Sequence, residues 1–557
     1  MLGKIDKNVP ATWFLLILFA VFAVQIVLQV NHFLVPDSDF FDYAEKANSL
    51  RNMEWPDHFK RPPLYPMLIA FISTMMPGDH AELYAAETLG VLSALLALWL
   101  LWRITRRYAR SSAPWVVWIW AFHVSTLRMA LKPKPEIVLT VLILWAFERY
   151  LRGDRRAYLI AFLATLVRYE GILAIAAFFV ADFFFGRDKK RSLLLAIVSS
   201  LFIVMWTFFQ GSGEPGSNYG DYFSGYSLNF HFVYMFLTEL FGFLPVSWFK
   251  VWVLLGALLF VAGFLALWRR DARSTLALII YLVSFVALHV VWPFSGSDYM
   301  VMAAWVALIF LVHGVAQLCW WGREQLRHSR LSQKCRQARK TCLALAIGVL
   351  SATVYVLIVT RSPYPQYQPS WVWMLAYVAP LFFFHWPRFR VKSLATFFMA
   401  VSVMIFLAFH INSRTRNELF ELYYAKAEFR LVGEWFEKNY TAGNRLLVSQ
   451  PNIVAYYTGL DPQDAFFRLT DAPQLPPQEL HPWLKQQNIS HVAWLSYNLM
   501  ASQHTAWSEW VNKNRRLETI AFLGVGETLP GFTLLESISA GPRYAYIYRV
   551  DKLNRTE

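Results

Sequence analysis

Apolar runs long enough to cross a hydrocarbon core of about 30 Å recur along most of this 557-residue chain. No backbone can sit in lipid with open N–H and C=O groups, so such runs must become helices packed on one another. The composition agrees: 57% of residues are hydrophobic and only 16% charged, well below the charge a soluble domain of this size carries. The formal net charge of +15 is gathered into short gaps between the runs, at Arg103/Arg106/Arg107/Arg110, Arg149/Arg152/Arg155/Arg156, Arg187/Lys189/Lys190/Arg191, Arg269/Arg270/Arg273 and Arg388/Arg390/Lys392, with seven more cations between Arg323 and Lys340. That spacing is the positive-inside pattern of cytoplasmic loops. Patches so small and separated anchor helices and do not follow a phosphate backbone, so a nucleic-acid partner is not expected.

Counting from an N-terminus held inside by Lys4 and Lys7, spans are expected near 11–35, 81–102, 113–131, 135–151, 157–167, 171–186, 192–210, 248–268, 275–293, 300–321, 343–360, 371–387 and 393–411. The expectation is a mainly α, multi-pass membrane protein of about thirteen transmembrane helices with an extracytoplasmic C-terminus. Within the pair 157–186, Arg168-Tyr169-Glu170-Gly171 interrupts the apolar run. A charged break at that depth is tolerated only against protein or a wet cavity. The first run is too long for a signal-peptide core and reads as a retained signal anchor. Cys319, Cys335 and Cys342 lie at a span end or in the basic gap, which indicates neither a disulfide framework nor a cysteine-based zinc site.

After Ile411 the character changes. Residues 1–411 are expected to form the transmembrane domain and 412–557 an extracytoplasmic α/β domain. In the latter, helix-like Phe429–Tyr440 leads to strand-like Arg445–Ser449, and helix-like Gln478–Gln487 leads to His491–Leu495. Tyr544–Val550 reads as a last strand. Helix–strand alternation at that spacing predicts a largely parallel sheet. A second outer segment, 211–247, begins as a glycine-rich turn and continues into aromatics, which suggests an interfacial lid.

The outer segment 36–80 carries the densest chemistry. Asp37, Asp39 and Asp42 fall within six residues of one another, directly after the first span. On a helix, Asp39, Tyr43 and Ala47 share one face. One carboxylate would serve as an N-cap for an interfacial helix whose Phe40, Phe41 and Tyr43 dip into lipid; capping leaves further carboxylates over. Asp39-Phe40-Phe41-Asp42-Tyr43-Ala44-Glu45-Lys46-Ala47, followed by Lys60-Arg61-Pro62-Pro63-Leu64-Tyr65-Pro66, resembles the first outer loop of GT-C-type membrane glycosyltransferases, in particular the protein O-mannosyltransferase and lipid A aminoarabinose transferase group. The resemblance implies transfer of a sugar from a polyprenyl-phosphate donor to a lipid, glycan or protein acceptor on the periplasmic face of a bacterial inner membrane, with Asp39 as the catalytic carboxylate. Where that group often has Glu after the Asp, this chain has Phe40; Asp37 and Asp42 are the alternates.

The residue types suit that chemistry. A carboxylate in a partly dehydrated site can deprotonate an acceptor hydroxyl, and a departing lipid phosphate needs cations. Tyr43, Lys60, Arg61, Glu136 and Arg168 are the candidate substrate-binding residues. Lys60 and Arg61 also read as anchors to membrane lipids, and Arg168 as the partner of Glu170 or another buried acid. Glu136 follows Pro135 in a short outer turn, where a helix-start Glu favourable to the dipole is the competing reading. Asp39 and Glu136 are the candidate ligands should a divalent cation serve as cofactor; carboxylates without nearby His suit magnesium or manganese better than zinc. His289 reads as a satisfied helix histidine more readily than as a ligand, and Asp298-Tyr299 stands where the related enzymes carry Arg-Tyr. A secondary transporter is the rival from another class, since broken helices and intramembrane charges also mark substrate pathways. The hydrophobic segments show no two-fold internal similarity, which weighs against it.

Overall fold

The computed structural model describes residues 9–28, 35–36, 38–54, 61–78, 80–110, 112–186, 188–210, 228, 230–241, 249–291, 297–328, 378, 424–496 and 517–551. Lys60 and Asp37 lie outside them, as do residues 343–360 and 393–411, nearly all of 371–387 and most of the expected lid. The chain divides into two compact units, Met1–Val30 with Lys46–Glu418, and Asn31–Glu45 with Leu419–Glu557. Asn31–Glu45 groups with the C-terminal residues.

The first unit is helical. Its described helices are α1 (Val9–Val27), the C-terminal part of α2 (Ser38–Arg51), α3 (Leu64–Ser73), α4 (Ala81–Tyr108), α5 (Ala113–Phe122), α6 (Val124–Leu131), α7 (Glu136–Tyr150), α8 (Arg156–Thr165), α9 (Ile172–Phe185), α10 (Lys189–Gln210), α11 (His231–Leu240), α12 (Phe249–Arg270), α13 (Ala272–Val291) and α14 (Val301–His328). Among the described residues, Ala81–Tyr108, Lys250–Arg270, Ala272–Val291 and Asp298–Leu318 are long and apolar enough to cross a membrane, and shorter apolar helices include Ala113–Phe122 and Arg156–Thr165. This is a membrane protein. The run expected as one span over 113–131 is two helices, because His123 adopts an extended backbone between α5 and α6. Its Nδ1 accepts from the Ser125 amide, capping α6, and its Nε2 donates to the Glu239 carbonyl.

Small residues let these helices approach closely. Helix α4 buries Ala85, Ala86, Gly90, Ser93, Ala94 and Ala97, the kind of face that substitutes van der Waals packing for the hydrophobic drive absent in lipid. A Cβ at Gly90 would sit 3.0 Å from the Ala130 carbonyl oxygen, so α4 supports the end of α6 at backbone range. At the other end of α7, Asp182 accepts from Tyr150, Tyr158, Ser192 and Arg273, tying α7, α8, α9, α10 and α13 through one buried carboxylate.

The second unit contains α15 (Ala427–Asn439), β1 (Leu446–Val448), α16 (Pro451–Thr458), α17 (Pro462–Ala465), β2 (Phe466–Arg468), α18 (Pro477–Gln486), β3 (His491–Leu495), β4 (Phe532–Ala540) and β5 (Arg543–Val550). The sheet order is β2-β1-β3-β5-β4. Strand β1 pairs in parallel with β2 and β3, whereas β5 is antiparallel to both β3 and β4. The sheet is therefore mixed, which corrects the largely parallel expectation. The cause is a C-terminal hairpin, turned at Gly541-Pro542 with Gly541 at φ +55°, a conformation that costs glycine little.

In this unit burial pushes the His491 imidazole below its ordinary value of 6.5, and Arg549 beside it adds to the shift. A histidine whose folded value is depressed leaves the unfolded chain binding more protons, so stability is complete above about pH 6.5 and falls as pH drops toward the folded value. Amide exchange of the β3 and β5 peptides in the full-length protein, corrected for intrinsic rate, should rise between about pH 6.5 and 5. His491→Gln should flatten that rise; an unchanged profile would remove His491 as its source.

Candidate active site

The chemistry of the first unit gathers where α8 breaks. After Thr165 the chain leaves the helix, and Arg168 adopts an extended backbone before the short 3-10 turn Tyr169–Gly171 restarts the path into α9. A Cβ at Gly171 would lie 2.4 Å from the Thr165 amide nitrogen, so only glycine lets the two helix ends close on each other. The break turns Arg168 inward. Its Nε and Nη2 donate to the Glu170 carboxylate at 2.8 to 3.1 Å, and its Nη1 donates to Glu136 Oε1 at 2.6 Å. The guanidinium also lies 5.2 Å from the Tyr299 ring centroid. Two of the expected residues, Glu136 and Arg168, thus form an ion pair, with Glu170 as its third member.

Glu136 opens α7 directly after Pro135, and Leu139 N–H closes the first turn onto the Pro135 carbonyl. On the far side of the pair, His289 donates from Nδ1 to the Phe285 carbonyl, stacks on Phe232 at 4.7 Å and packs against Tyr299 at 4.8 Å. It is a packed helix histidine, as its sequence setting suggested. Arg61 precedes α3, whose Leu64 N–H donates to the Leu166 carbonyl at 2.9 Å. That bond fastens the Arg61-Pro62-Pro63 segment two residues from the Arg168 break.

A second charged group adjoins the first. Asp298 accepts from Lys132 Nζ at 3.1 and 3.2 Å and from Lys134 Nζ at 2.8 Å, and Arg128 Nε lies 3.4 Å from it. Three cations converge on one carboxylate, all of them largely buried. Asp298 is followed by Tyr299, and Lys134 by Pro135 and Glu136, so the two groups share their backbone. Sequence reasoning passed over Arg128, Lys132 and Lys134 as site residues. The signal was present in Lys132-Pro133-Lys134-Pro135, where prolines fix the backbone and two cations stand in a turn expected on the face opposite the other basic gaps.

Asp39 and Tyr43 lie in the second unit. Asp39 occupies the first turn of α2, where its charge favours the helix dipole. The helix start is held by aromatics: Phe40 meets Tyr456 at 6.1 Å, and Phe41 meets Tyr456 and Tyr457 at 5.1 and 6.4 Å. Phe40, Phe41 and Tyr43 are buried, so they pack into protein and do not dip into lipid. Among the described residues no three His, Cys, Asp or Glu converge as metal ligands. Glu136 and Glu170 are unsuited to a divalent cation, because the Arg168 guanidinium fills the position between them.

The fold, a helical unit with a broken helix and a small mixed α/β unit, is the one found in solved GT-C membrane proteins. ArnT from Cupriavidus metallidurans, solved bound to undecaprenyl phosphate, aligns with a TM-score of 0.53 over 97% of this chain and 98% of its own, at 13% identity. The archaeal oligosaccharyltransferase AglB from Archaeoglobus fulgidus, solved with an inhibitory peptide and a dolichol-phosphate, aligns with a TM-score of 0.51 over 96% of this chain and 80% of its own, at 11% identity. No family model matches the sequence, and no curated protein matches it.

The ion-pair group makes a stability prediction. Arg168→Met leaves two buried carboxylates facing each other and should cost about 3–5 kcal/mol. The double variant R168M/E170Q should recover part of that loss in a thermal melt of the detergent-solubilised protein; no recovery would mean that the pairs are not energetically coupled. Gly171→Ala, which must push the helix ends apart, should also lower the melting temperature, by the equivalent of about 1–3 kcal/mol.

Proposed function

We propose that this chain is an integral-membrane glycosyltransferase that moves a sugar from a polyprenyl-phosphate donor to a hydroxyl acceptor on the periplasmic face. The carrying observation is the GT-C fold over nearly the whole chain, shared with a protein solved holding undecaprenyl phosphate. The acceptor is a lipid such as lipid A or its core, a glycan, or a protein. Asp39 is the proposed general base. It takes the proton of the acceptor hydroxyl while that oxygen bonds to the anomeric carbon, and the bond from that carbon to the phosphate oxygen breaks with its electron pair leaving on the phosphate. Such a leaving group is stabilised by fixed cations in a site shielded from water. The convergence of Arg128, Lys132 and Lys134 supports a phosphate-binding role for the turn at 132–135, and Lys60 and Arg61 are further candidates. We assign Arg168 and Glu136 to positioning, since each is bonded to the other.

Mass spectrometry of envelope glycolipids, glycans and glycoproteins, comparing a deletion strain with complemented strains, tests this reading. Deletion should remove one glycosyl mass increment from a single class of acceptor. The wild-type gene should restore it and Asp39→Asn should not, although that variant inserts normally; full restoration by the variant would remove Asp39 from the mechanism. With the purified protein, Lys132→Met and Lys134→Met should each weaken retention of undecaprenyl phosphate in native mass spectrometry by roughly tenfold, the equivalent of about 1.4 kcal/mol.

A further inference from the structure

The second unit holds a cleft of about 860 Å³ that the transfer chemistry does not use. It opens between the C-terminal end of α15, the turn that follows it, the middle of β4 and the C-terminal end of β5. Trp435 and Asn439 line it from the helix, Asn444 from the turn, and Glu536, Arg549 and Asp551 from the strands. We propose that this cleft is a saccharide-binding site that takes an uncharged sugar unit.

Four features carry the assignment. First, a Trp at the wall of an open polar cleft offers a flat apolar surface with one N–H at its edge, and this suits a ligand having an apolar face and a polar rim. The Trp435 ring is held in place edge-to-face with His491 at 5.8 Å. Second, the polar groups are planar and two-sided. Each Asn has one amide hydrogen committed locally, Asn439 Nδ2 to the Trp435 carbonyl and Asn444 Nδ2 to Thr441 Oγ1. The amide oxygen and the other N–H are the acceptor and donor that adjacent hydroxyls require. Third, the charges along the walls balance. Lys485 and Arg549 stand with Glu536 and Asp551; Arg549 reaches Asp551 at 3.4 Å and Lys485 donates to the Val550 carbonyl. A phosphate site carries an excess of cations, as where Arg128, Lys132 and Lys134 outnumber Asp298, whereas hydroxyl recognition draws on carboxylates and guanidinium in balance.

The fourth feature is backbone geometry. Between Leu534 and Glu536 the register of β4 against β5 shifts, so Leu534 faces Tyr548 while Glu536 faces Ile547. Leu535 is the extra residue of a β-bulge. In a regular strand, neighbours point to opposite faces, yet Leu535 and Glu536 both line the cleft. The bulge re-aims two consecutive side chains into one concavity, the use that bulges beside binding sites commonly serve.

Saturation-transfer NMR on the full-length protein in nanodiscs, free of sugar-based detergent, tests the proposal. The probes are lactose, cellobiose, chitobiose and mannobiose, with glucose 1-phosphate and a mixed-sequence hexapeptide as comparators. At least one neutral disaccharide should give a signal that falls fivefold or more in Trp435→Ala and threefold or more in Asn444→Ala. The same signal should persist in Asp39→Asn, which separates this site from the proposed catalytic carboxylate. Should Trp435→Ala not fold, Asn444→Ala and Glu536→Gln at the cleft rim decide the matter. The proposal is overturned if no disaccharide signal depends on these side chains, or if the dependent signal belongs to the phosphate or the peptide instead.

Discussion

The guanidinium of Arg168 is the constraint around which the helical unit is organised. A cation inside a membrane bundle is costly unless it is paired and fully hydrogen-bonded, and here three of its nitrogens donate to two carboxylates drawn from different elements. Meeting that requirement fixes much else. Helix α8 has to stop short so that the side chain can turn inward, Gly171 has to be glycine so that α9 can restart at once, and α7 has to begin at Glu136. Tyr299 then covers the guanidinium face, and its neighbour Asp298 is brought to the lysines of the preceding turn. The Asp182 network does the same service at the opposite end of α7, about 21 Å away for a 15-residue helix. Helix α7 is thus pinned at both ends by polar groups, with apolar packing between them.

Local sequence was a good guide to these features where one short stretch carries both cause and effect. Arg168-Tyr169-Glu170-Gly171 announces a break because two opposite charges and a glycine interrupt an apolar run, and the observed helices on either side end within a few residues of the expected ones. His491–Leu495 was legible because four apolar residues run together in a strand that is buried throughout. Strand β4 was not, since Phe532–Ala540 is a half-exposed edge strand carrying a bulge, and neither property leaves a clean alternation. Strand β2 is three residues long, too short for any period to register.

What could not be read locally was pairing at a distance. Phe40 and Phe41 look in sequence like residues bound for the lipid interface, and nothing near them names Tyr456 and Tyr457 as partners more than 400 positions later. The consequence is functional as well as architectural. In the second unit, the first turn of α2 carries Asp39 and is held by aromatic packing, so the C-terminal residues contribute to placing the proposed base.

The two charged groups of the helical unit also differ in what they can do for a phosphate. The Arg168 fork is already matched: a planar guanidinium bound side-on by Glu170 and end-on by Glu136 has fixed geometry, and giving it to an incoming anion would mean breaking short bonds inside the bundle. Lys132 and Lys134 hold Asp298 through ammonium groups on four-carbon stems, each with three donors that can be redistributed without moving the backbone. In the proposed reaction, Asp298 is a placeholder that keeps the ammonium groups converged and partly desolvated for a phosphate to share, so that little reorganisation is needed as charge develops on the departing oxygen. On that account, loss of Asp298 should scatter the lysines, whereas loss of Arg168 should strike at the fold, a division of labour between neighbouring ion pairs that follows from the shape of the two cationic groups.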